Sequence, residues 1–255
     1  MRYLTAFAMA LAALFAAPAL AQDSTGDPIA DAVAAIGNFD SDGAVALLDS
    51  ACKTGNSEAC WRLALTQAQT GKDAEADKQF LANCAGKDAR SCYMLARRIP
   101  SDGPAKDQAR ARTALGKACD GGLAYACVEL AQTLRYDDSL KTPPATIARI
   151  YEQACAAGSR DGCHGAAEIY GQTYENPDMN LTKALALDIR GCELGLAEAC
   201  SAVPGIEAGA AEEGSSPTVA MQQRWQTFRQ RACTLGELGQ CQEFLSYQYD
   251  LPVTP

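Results

Sequence analysis

The twelve cysteines are the residues of this chain best suited to chemistry, because a thiol can bind a metal or form a disulfide. They fall into six pairs, and seven residues separate the two members of every pair: Cys52 and Cys60, Cys84 and Cys92, Cys119 and Cys127, Cys155 and Cys163, Cys192 and Cys200, Cys233 and Cys241. The first members of successive pairs stand 32, 35, 36, 37 and 41 residues apart. This period is typical of a stacked array of helical hairpins.

The residues around each pair predict the helices that position the cysteines. Upstream of the first cysteine, apolar residues recur at helical spacing, as in Ile147, Ile150, Tyr151 and Ala154, which predicts a helix A. Downstream of the second cysteine a similar stripe predicts a helix B. Each repeat is therefore expected to be an antiparallel helix pair.

A glycine marks the predicted end of helix A. It lies three residues after the first cysteine in five repeats and one place earlier in the second repeat: Gly55, Gly122, Gly158, Gly195 and Gly236, with Gly86 as the early one. Glycine readily takes the left-handed conformation that ends many helices. Polar residues follow it, such as Asn56, Asp88 and Ser159, and they are expected to cap helix B.

In such a hairpin the last turn of helix A faces the first turn of helix B. The two cysteine Cα atoms then lie near the roughly 5.5 Å that a disulfide needs, so we predict one disulfide within each repeat. The alternative is zinc, which would need tetrahedral clusters, usually with closer spacing and often with histidine. The chain has a single histidine, His164. We therefore favour disulfides and predict no metal site.

The N-terminus predicts export. Arg2 precedes an uncharged apolar run, and Ala19-Leu20-Ala21 is a pattern that signal peptidase accepts, so residues 1–21 are interpreted as a cleaved signal peptide. We expect a periplasmic or secreted protein without a membrane anchor, in a compartment where disulfides form. Removing these residues takes away Arg2 and leaves 31 Asp plus Glu against 21 Lys plus Arg. This acidic balance disfavours binding to nucleic acid.

The rest of the chain divides into three predicted parts. Residues 22–40 are expected to form an N-terminal cap helix and a linker, and residues 41–250 the repeat array. Within the array, an insertion at about residues 204–217 is expected to break helix B of the fifth repeat at Pro204, because proline lacks the amide donor of a helix interior. Residues 251–255 are interpreted as a tail.

One run of residues resembles a known family. The segment Ala118-Cys119-Asp120-Gly121-Gly122-Leu123-Ala124-Tyr125-Ala126-Cys127 looks like the cysteine-rich branch of the Sel1-like repeats, and the resemblance covers about residues 40–250. It implies an all-α fold, a right-handed α/α solenoid of about six helix-turn-helix repeats. It also implies an adaptor that binds a protein or peptide. Because the branch includes secreted proteins described as weak penicillin binders or β-lactam hydrolases, a β-lactam or a peptidoglycan-like ligand is the alternative.

Residues that could support catalysis are few. Ser50 and Lys53 have the Ser-x-x-Lys spacing of serine β-lactamases, but no Ser-Asp-Asn or Lys-Thr-Gly accompanies them. His164 has no partner at a recognisable spacing, so we expect a packing or surface role for it. No phosphate loop or nucleotide fingerprint occurs in the sequence. We predict no catalytic residue and no cofactor.

Four aromatic residues on the helix A stripes are candidates for a partner-binding face: Phe80, Tyr151, Trp225 and Phe228. Aromatic side chains often anchor protein partners. Burial between helices is the competing interpretation. Trp225 and Phe228 stand apart from the others because their repeat follows the insertion, and because Arg224 and Arg229 flank them.

Overall fold

A computed structural model describes residues 26–171, 179–211 and 216–250 of the chain. In these three ranges the chain forms thirteen α-helices and one short 3₁₀-helix, with no β-strand. The expected signal peptide and the tail at 251–255 lie outside the described residues. No helix in the described ranges is both long enough and apolar enough to cross a bilayer.

The helices follow one another as a leading helix and six pairs. The leading helix, α1, spans Pro28–Gly37, and Asp27 caps it by accepting a hydrogen bond from the Ile29 amide. The pairs are α2 (Ser41–Lys53) with α3 (Ser57–Gln69), α4 (Asp73–Ala85) with α5 (Ala89–Arg97), α6 (Ala105–Asp120) with α7 (Ala124–Tyr136), α8 (Pro144–Ala156) with α9 (Arg160–Gly171), α10 (Leu181–Glu193) with α11 (Ala197–Ala210), and α12 (Val219–Thr234) with α13 (Leu238–Asp250). We number these pairs as repeats one to six, each with a helix A and a helix B.

Each helix packs mainly on its neighbours in the chain. The core is accordingly a row of small clusters instead of one central core. In one of them, Cys127 and Ala131 of α7 meet Ile147 and Tyr151 of α8. A helix A therefore packs between the helix B of its own repeat and that of the repeat before. The structure confirms the predicted all-α solenoid of about six repeats.

All six predicted disulfides are present, each within one repeat. The paired Cα atoms are 4.5–4.7 Å apart, within the range for disulfides. None of the cysteines is free. The pairing joins the last turn of every helix A to the first turn of its helix B.

The turn between the two helices follows one backbone pattern. The third residue after the first cysteine has a positive φ, from 88° to 105°, at the five glycines that the spacing singled out. In repeat two, however, this residue is Lys87, with φ 68°, while Gly86 is an ordinary C-cap with φ −76°. Gly86 therefore does not replace the missing glycine, because the conformation belongs to the place in the turn.

The predicted helix caps are confirmed. Asn56, Asp88 and Ser159 accept hydrogen bonds from the amides of Ala59, Ser91 and Gly162 at 3.0, 2.7 and 3.0 Å. Repeats three and five have Leu123 and Leu196 at this place, with no side-chain cap. These leucines pack against the hydrophobic clusters instead.

The expected break at Pro204 does not occur. Helix α11 continues through Pro204 to Ala210. Proline removes one backbone donor, but Pro204 and its neighbour Val203 are buried against the array, which holds the helix in place. Residues 212–215 of the expected insertion lie outside the described residues.

Candidate functional site

The four aromatic residues expected to form a partner-binding face lie in the core. Phe80 is fully buried, and Tyr151 and Trp225 are also buried. Phe228 is partly buried and packs against the cluster around Cys192 and Cys200. They therefore form no common exposed face, and this interpretation is corrected. Burial between helices, the competing interpretation, describes them.

Trp225 has a specific role in joining repeat five to repeat six. Its indole Nε1 donates a hydrogen bond of 2.7 Å to Oε2 of Glu207 on α11. Arg224 forms an ion pair with the same carboxylate, and Glu207 is itself buried. The tryptophan and its neighbouring arginine thus satisfy a buried charge, which explains why a polar group can lie in this interface.

The place four residues before the first cysteine accounts for the burial of Phe80 and Tyr151. In repeats one to four it is Leu48, Phe80, Leu115 or Tyr151, and all of them are buried. The burial of this place in four successive repeats shows that it faces the neighbouring helices of the array. It is a core position, and in repeat five Asp188 occupies it.

Asp188 is almost fully buried, with an exposed fraction of 1%. Its hydrogen-bond partner is His164 of the preceding helix B. The His164 Nδ1 and Asp188 Oδ1 atoms lie 2.7 Å apart. This contact links α9 of repeat four to α10 of repeat five. The structure thus gives His164 the partner that spacing along the chain did not reveal.

The pKa values of His164 and Asp188 are both raised. The hydrogen bond to Asp188 raises the pKa of His164 above its ordinary value, although burial opposes the shift. The charges of Asp188, Glu168 and Glu198 add to the rise. Burial raises the pKa of Asp188, and the contact with His164 works against that rise. A histidine held in this way favours its protonated form.

His164 lies at one end of a polar surface on the B helices of repeats two to five, which we call the B-helix groove. Most of its residues come from α5, α7, α9 and α11: Tyr93, Arg97, Tyr125, Glu129, Gln132, Arg135, Tyr136, Asp161, His164, Glu168 and Glu198. The buried Tyr151 of α8 also borders it. Two cavities of about 350 and 210 Å³ lie along it. They adjoin, since Gln132 and Asp161 line both.

The B-helix groove contains both ion pairs and tyrosines. Arg97 and Glu129 join α5 to α7 at 3.3 Å, and Arg135 and Glu168 join α7 to α9 at 2.5 Å. The rings of Tyr93 and Tyr125 meet edge to face, with centroids 4.6 Å apart. The exposed fraction is 50% for Tyr125 and 74% for Tyr136. The groove therefore offers aromatic contact area together with charges of both signs.

The serine and lysine with β-lactamase-like spacing lie on open surface. Ser50 is exposed on α2, and Lys53 Nζ lies 2.6 Å from Asp49 Oδ2. The exposed fractions of the Lys53 and Asp49 side chains are 73% and 43%. The arrangement lacks the enclosed pocket in which a lysine activates a serine hydroxyl.

Sequence reasoning missed Asp188 and the exposed tyrosines. Asp188 could have been found by aligning the repeats, because it alone among the first five places a charge where the others place Leu, Phe or Tyr. Tyr125 and Tyr136 had no comparable signal. Whether a tyrosine on helix B is covered depends on the next repeat, which the spacing within one repeat does not describe.

The chain has the fold of Sel1 repeat proteins. It is similar to a protective antigen of uropathogenic Escherichia coli with an SLR fold, at a TM-score of 0.58 and 18% identity over 76% of this chain and 41% of the other. It is also similar to a Sel1 repeat protein of Oxalobacter formigenes, at a TM-score of 0.55 and 18% identity over 82% of this chain and 90% of the other.

These likenesses show the fold alone. The chain spans about two fifths of the length of the Escherichia coli antigen. A scan of protein families and a search of curated proteins find no significant match.

Proposed function

We propose that the chain is an exported adaptor of the bacterial envelope, which binds a protein or peptide partner along the B-helix groove and carries out no catalysis. The observation that carries this proposal is the groove itself. It crosses the B helices of successive repeats and combines exposed tyrosines with ordered arginine–carboxylate pairs. Tyrosine and arginine are enriched among the residues that contribute most to protein binding.

The groove suits an extended partner better than a small substrate. Its cavities are shallow spaces between neighbouring helices, and each repeat adds one helix to their wall. A peptide lying across α5, α7 and α9 would meet first the ion pair between α5 and α7 and then the one between α7 and α9, with Tyr125 and Tyr136 at the two ends of α7. A solenoid offers this kind of long surface by construction.

The disulfides support an extracytoplasmic location. Six of them, with no free cysteine, indicate an oxidising environment. We infer a periplasmic or secreted protein, released from its signal peptide after Ala21. No membrane anchor forms part of this proposal.

Two observations favour binding over hydrolysis of a β-lactam. His164 and Asp188 form a pair of the kind that assists a nucleophile, but all cysteines are oxidised, so no thiol is free to attack. Ser50 and Lys53 lie on open surface. A hydrolase would need a nucleophile, a base and an oxyanion site in one place.

The test compares partner capture by the oxidised protein and by a Tyr125→Ala/Tyr136→Ala variant. Envelope extract is passed over each immobilised protein, and enriched partners are quantified by mass spectrometry. The binding constant of the most enriched partner is then measured with purified proteins. Val219→Ala/Leu238→Ala is the matched control, because these exposed apolar residues lie in repeat six, away from the groove.

We expect the groove variant to bind the partner at least about 10-fold more weakly, a loss of about 1.4 kcal/mol, while the control binds normally. Equal binding by all three proteins would remove the groove from the proposal. Nitrocefin turnover by the same preparation would overturn the adaptor function in favour of β-lactam hydrolysis.

A further inference from the structure

Another cavity lies mainly on the A helices of repeats two and three, outside the B-helix groove. It has a volume of about 440 Å³ and lies where α4, α5 and α6 meet. Apolar residues form much of its wall, chiefly Leu81, Leu95, Ile99 and Ala109. The same leucines and Ile99 line an adjoining space of about 380 Å³ that reaches toward Pro100. We call the two together the A-helix cleft.

The A-helix cleft is open and apolar at its α4 edge. Leu81 has an exposed fraction of 54%, although it is a large aliphatic residue. Leu95 and Ile99 lie behind it and are partly buried. Leu81 therefore leaves apolar surface open to solvent beside the cavity, where an apolar side chain of a partner could pack.

The α6 edge of the cleft carries a line of cations. The cations Lys106, Arg110 and Lys117 line the cavity together with Thr113. Their spacing of four, three and four residues places them on one face of the helix. Between Lys106 and Lys117 this line extends for about 16 Å, at 1.5 Å of rise per residue.

The positive charge of the cleft is only partly neutralised. Arg98 pairs with Asp73 and Asp77, and Arg110 pairs with Asp107. In the part of the chain that the structure describes, Lys78, Lys106 and Lys117 have no ion-pair partner. An excess of positive charge is unusual for a chain whose formal net charge is −9. It favours an anionic ligand at this place.

We propose that the A-helix cleft binds an acidic amphipathic peptide, with apolar side chains on the Leu81 edge and Asp or Glu side chains opposite the α6 cations. A fatty acid or another lipid with one anionic head would use only one of the cations. The line from Lys106 to Lys117 instead matches carboxylates repeated along a peptide. This site is independent of the B-helix groove and takes a partner of defined chemistry.

The probe is a fluorescein-labelled helical peptide of about 14 residues, long enough to span the line of cations, with Leu on one face and Glu on the next. A second peptide has Lys in place of every Glu. Binding to the oxidised full chain is measured by fluorescence anisotropy at low and at high salt. The cleft variants are Lys106→Glu/Lys117→Glu and Leu81→Asp.

The matched control is Lys53→Glu/Arg149→Glu, which changes the net charge equally at exposed cations of repeats one and four. Lys106→Arg/Lys117→Arg keeps the positive charge and should therefore bind the acidic peptide as the unmodified protein does. Circular dichroism establishes that each variant is folded. The Tyr125→Ala/Tyr136→Ala variant should bind the acidic peptide normally, so a failure here and a failure of the B-helix groove are distinguishable.

We expect saturable binding of the acidic peptide, weakened at least about 10-fold by either cleft variant and by high salt, and unchanged by the charge-matched control. Absence of saturable binding to the unmodified protein overturns the proposal. Equal loss in the cleft and control variants, or equal binding of the Lys peptide, would do the same. Displacement of the acidic peptide by dodecanoate at equal concentration would assign the cleft to a lipid.

Discussion

Repeats four and six share one disulfide framework but differ in what the disulfide encloses. Their paired Cα atoms are 4.5 and 4.7 Å apart. Repeat four buries Tyr151 four residues before its first cysteine, and Cys163 is fully buried. Repeat six has Arg229 at the corresponding place, paired with Glu243 at 3.2 Å, and both its cysteines are partly exposed.

The difference shows that the disulfide and the buried core contribute separately to the stability of a repeat. A cysteine pair closes the hairpin whether or not a large apolar residue lies beside it. The burial comes from stacking, because repeat four has neighbours on both sides, whereas in the described structure only repeat five packs on repeat six. The comparison predicts that equal changes in the two repeats have unequal effects.

The largest expected difference comes from removing the disulfides. Cys155→Ala/Cys163→Ala should lower the free energy of unfolding by about 2–5 kcal/mol, through lost loop closure and a cavity at a buried site. Cys233→Ala/Cys241→Ala should cost at most about half as much, since a terminal repeat can open without its neighbours. Thermal unfolding followed by circular dichroism measures both, and intact mass verifies that the remaining disulfides are formed. Equal losses would mean that the stacking of repeat four adds nothing.

The next comparison is between Gly165 in repeat four and Gly239 in repeat six. A Cβ added at Gly165 would lie 2.6–2.9 Å from the ring of Tyr151, so Gly165→Ala should destabilise the protein by about 1–3 kcal/mol. Nothing lies within 4 Å of a Cβ at Gly239, and Gly239→Ala should stabilise α13 by about 0.5 kcal/mol. Urea unfolding measures both.

A double variant tests the cause of the first effect. Tyr151→Leu in the Gly165→Ala background removes the ring that the new methyl group meets, so part of the lost stability should return relative to the sum of the single changes. Strict additivity of the two changes would show that the Tyr151 ring is not the obstacle.

The smallest expected effect concerns pH. The raised pKa of His164 means that the folded protein binds this proton more tightly than the unfolded chain does. Its contribution to stability is therefore complete below pH 6.5, the ordinary value, and is lost as the pH rises through the raised pKa. The Tm should thus fall as the pH rises above 6.5, and His164→Gln should reduce that fall.

Two variants sharpen this measurement. Asp188→Asn removes the charge that faces His164 and should flatten the pH dependence in the same way. Trp225→Phe, which alters the interface between repeats five and six, should lower the Tm but keep the pH dependence. If His164→Gln leaves the fall in Tm unchanged, the pair does not cause it.

The repeat structure could be predicted from the sequence because its determinants are local. Cysteine spacing, the glycine of the turn and the polar caps act over fewer than about ten residues, and each of them recurs. The prediction that Gly86 ends helix A in the left-handed conformation was wrong by one residue, because the turn places that conformation at Lys87.

The interaction surfaces depend on contacts between repeats, and these could not be predicted in the same way. Tyr151 and Tyr136 look alike as aromatic residues on helical stripes, but only Tyr151 is covered by the following helix. Asp188 and His164 are 24 residues apart and meet because α9 and α10 are stacked. Such contacts depend on the angle at which one hairpin packs on the next. The sequence of a single repeat does not determine this angle.

The local pairing of the cysteines also determines how the chain can mature. Every cysteine is bonded to the cysteine nearest to it in the sequence, eight positions away. A chain delivered from its N-terminus into an oxidising compartment can thus complete each bond before the next pair emerges. Thiols oxidised in order of arrival give the native set directly, so the protein can mature without a disulfide isomerase to reshuffle wrong pairs.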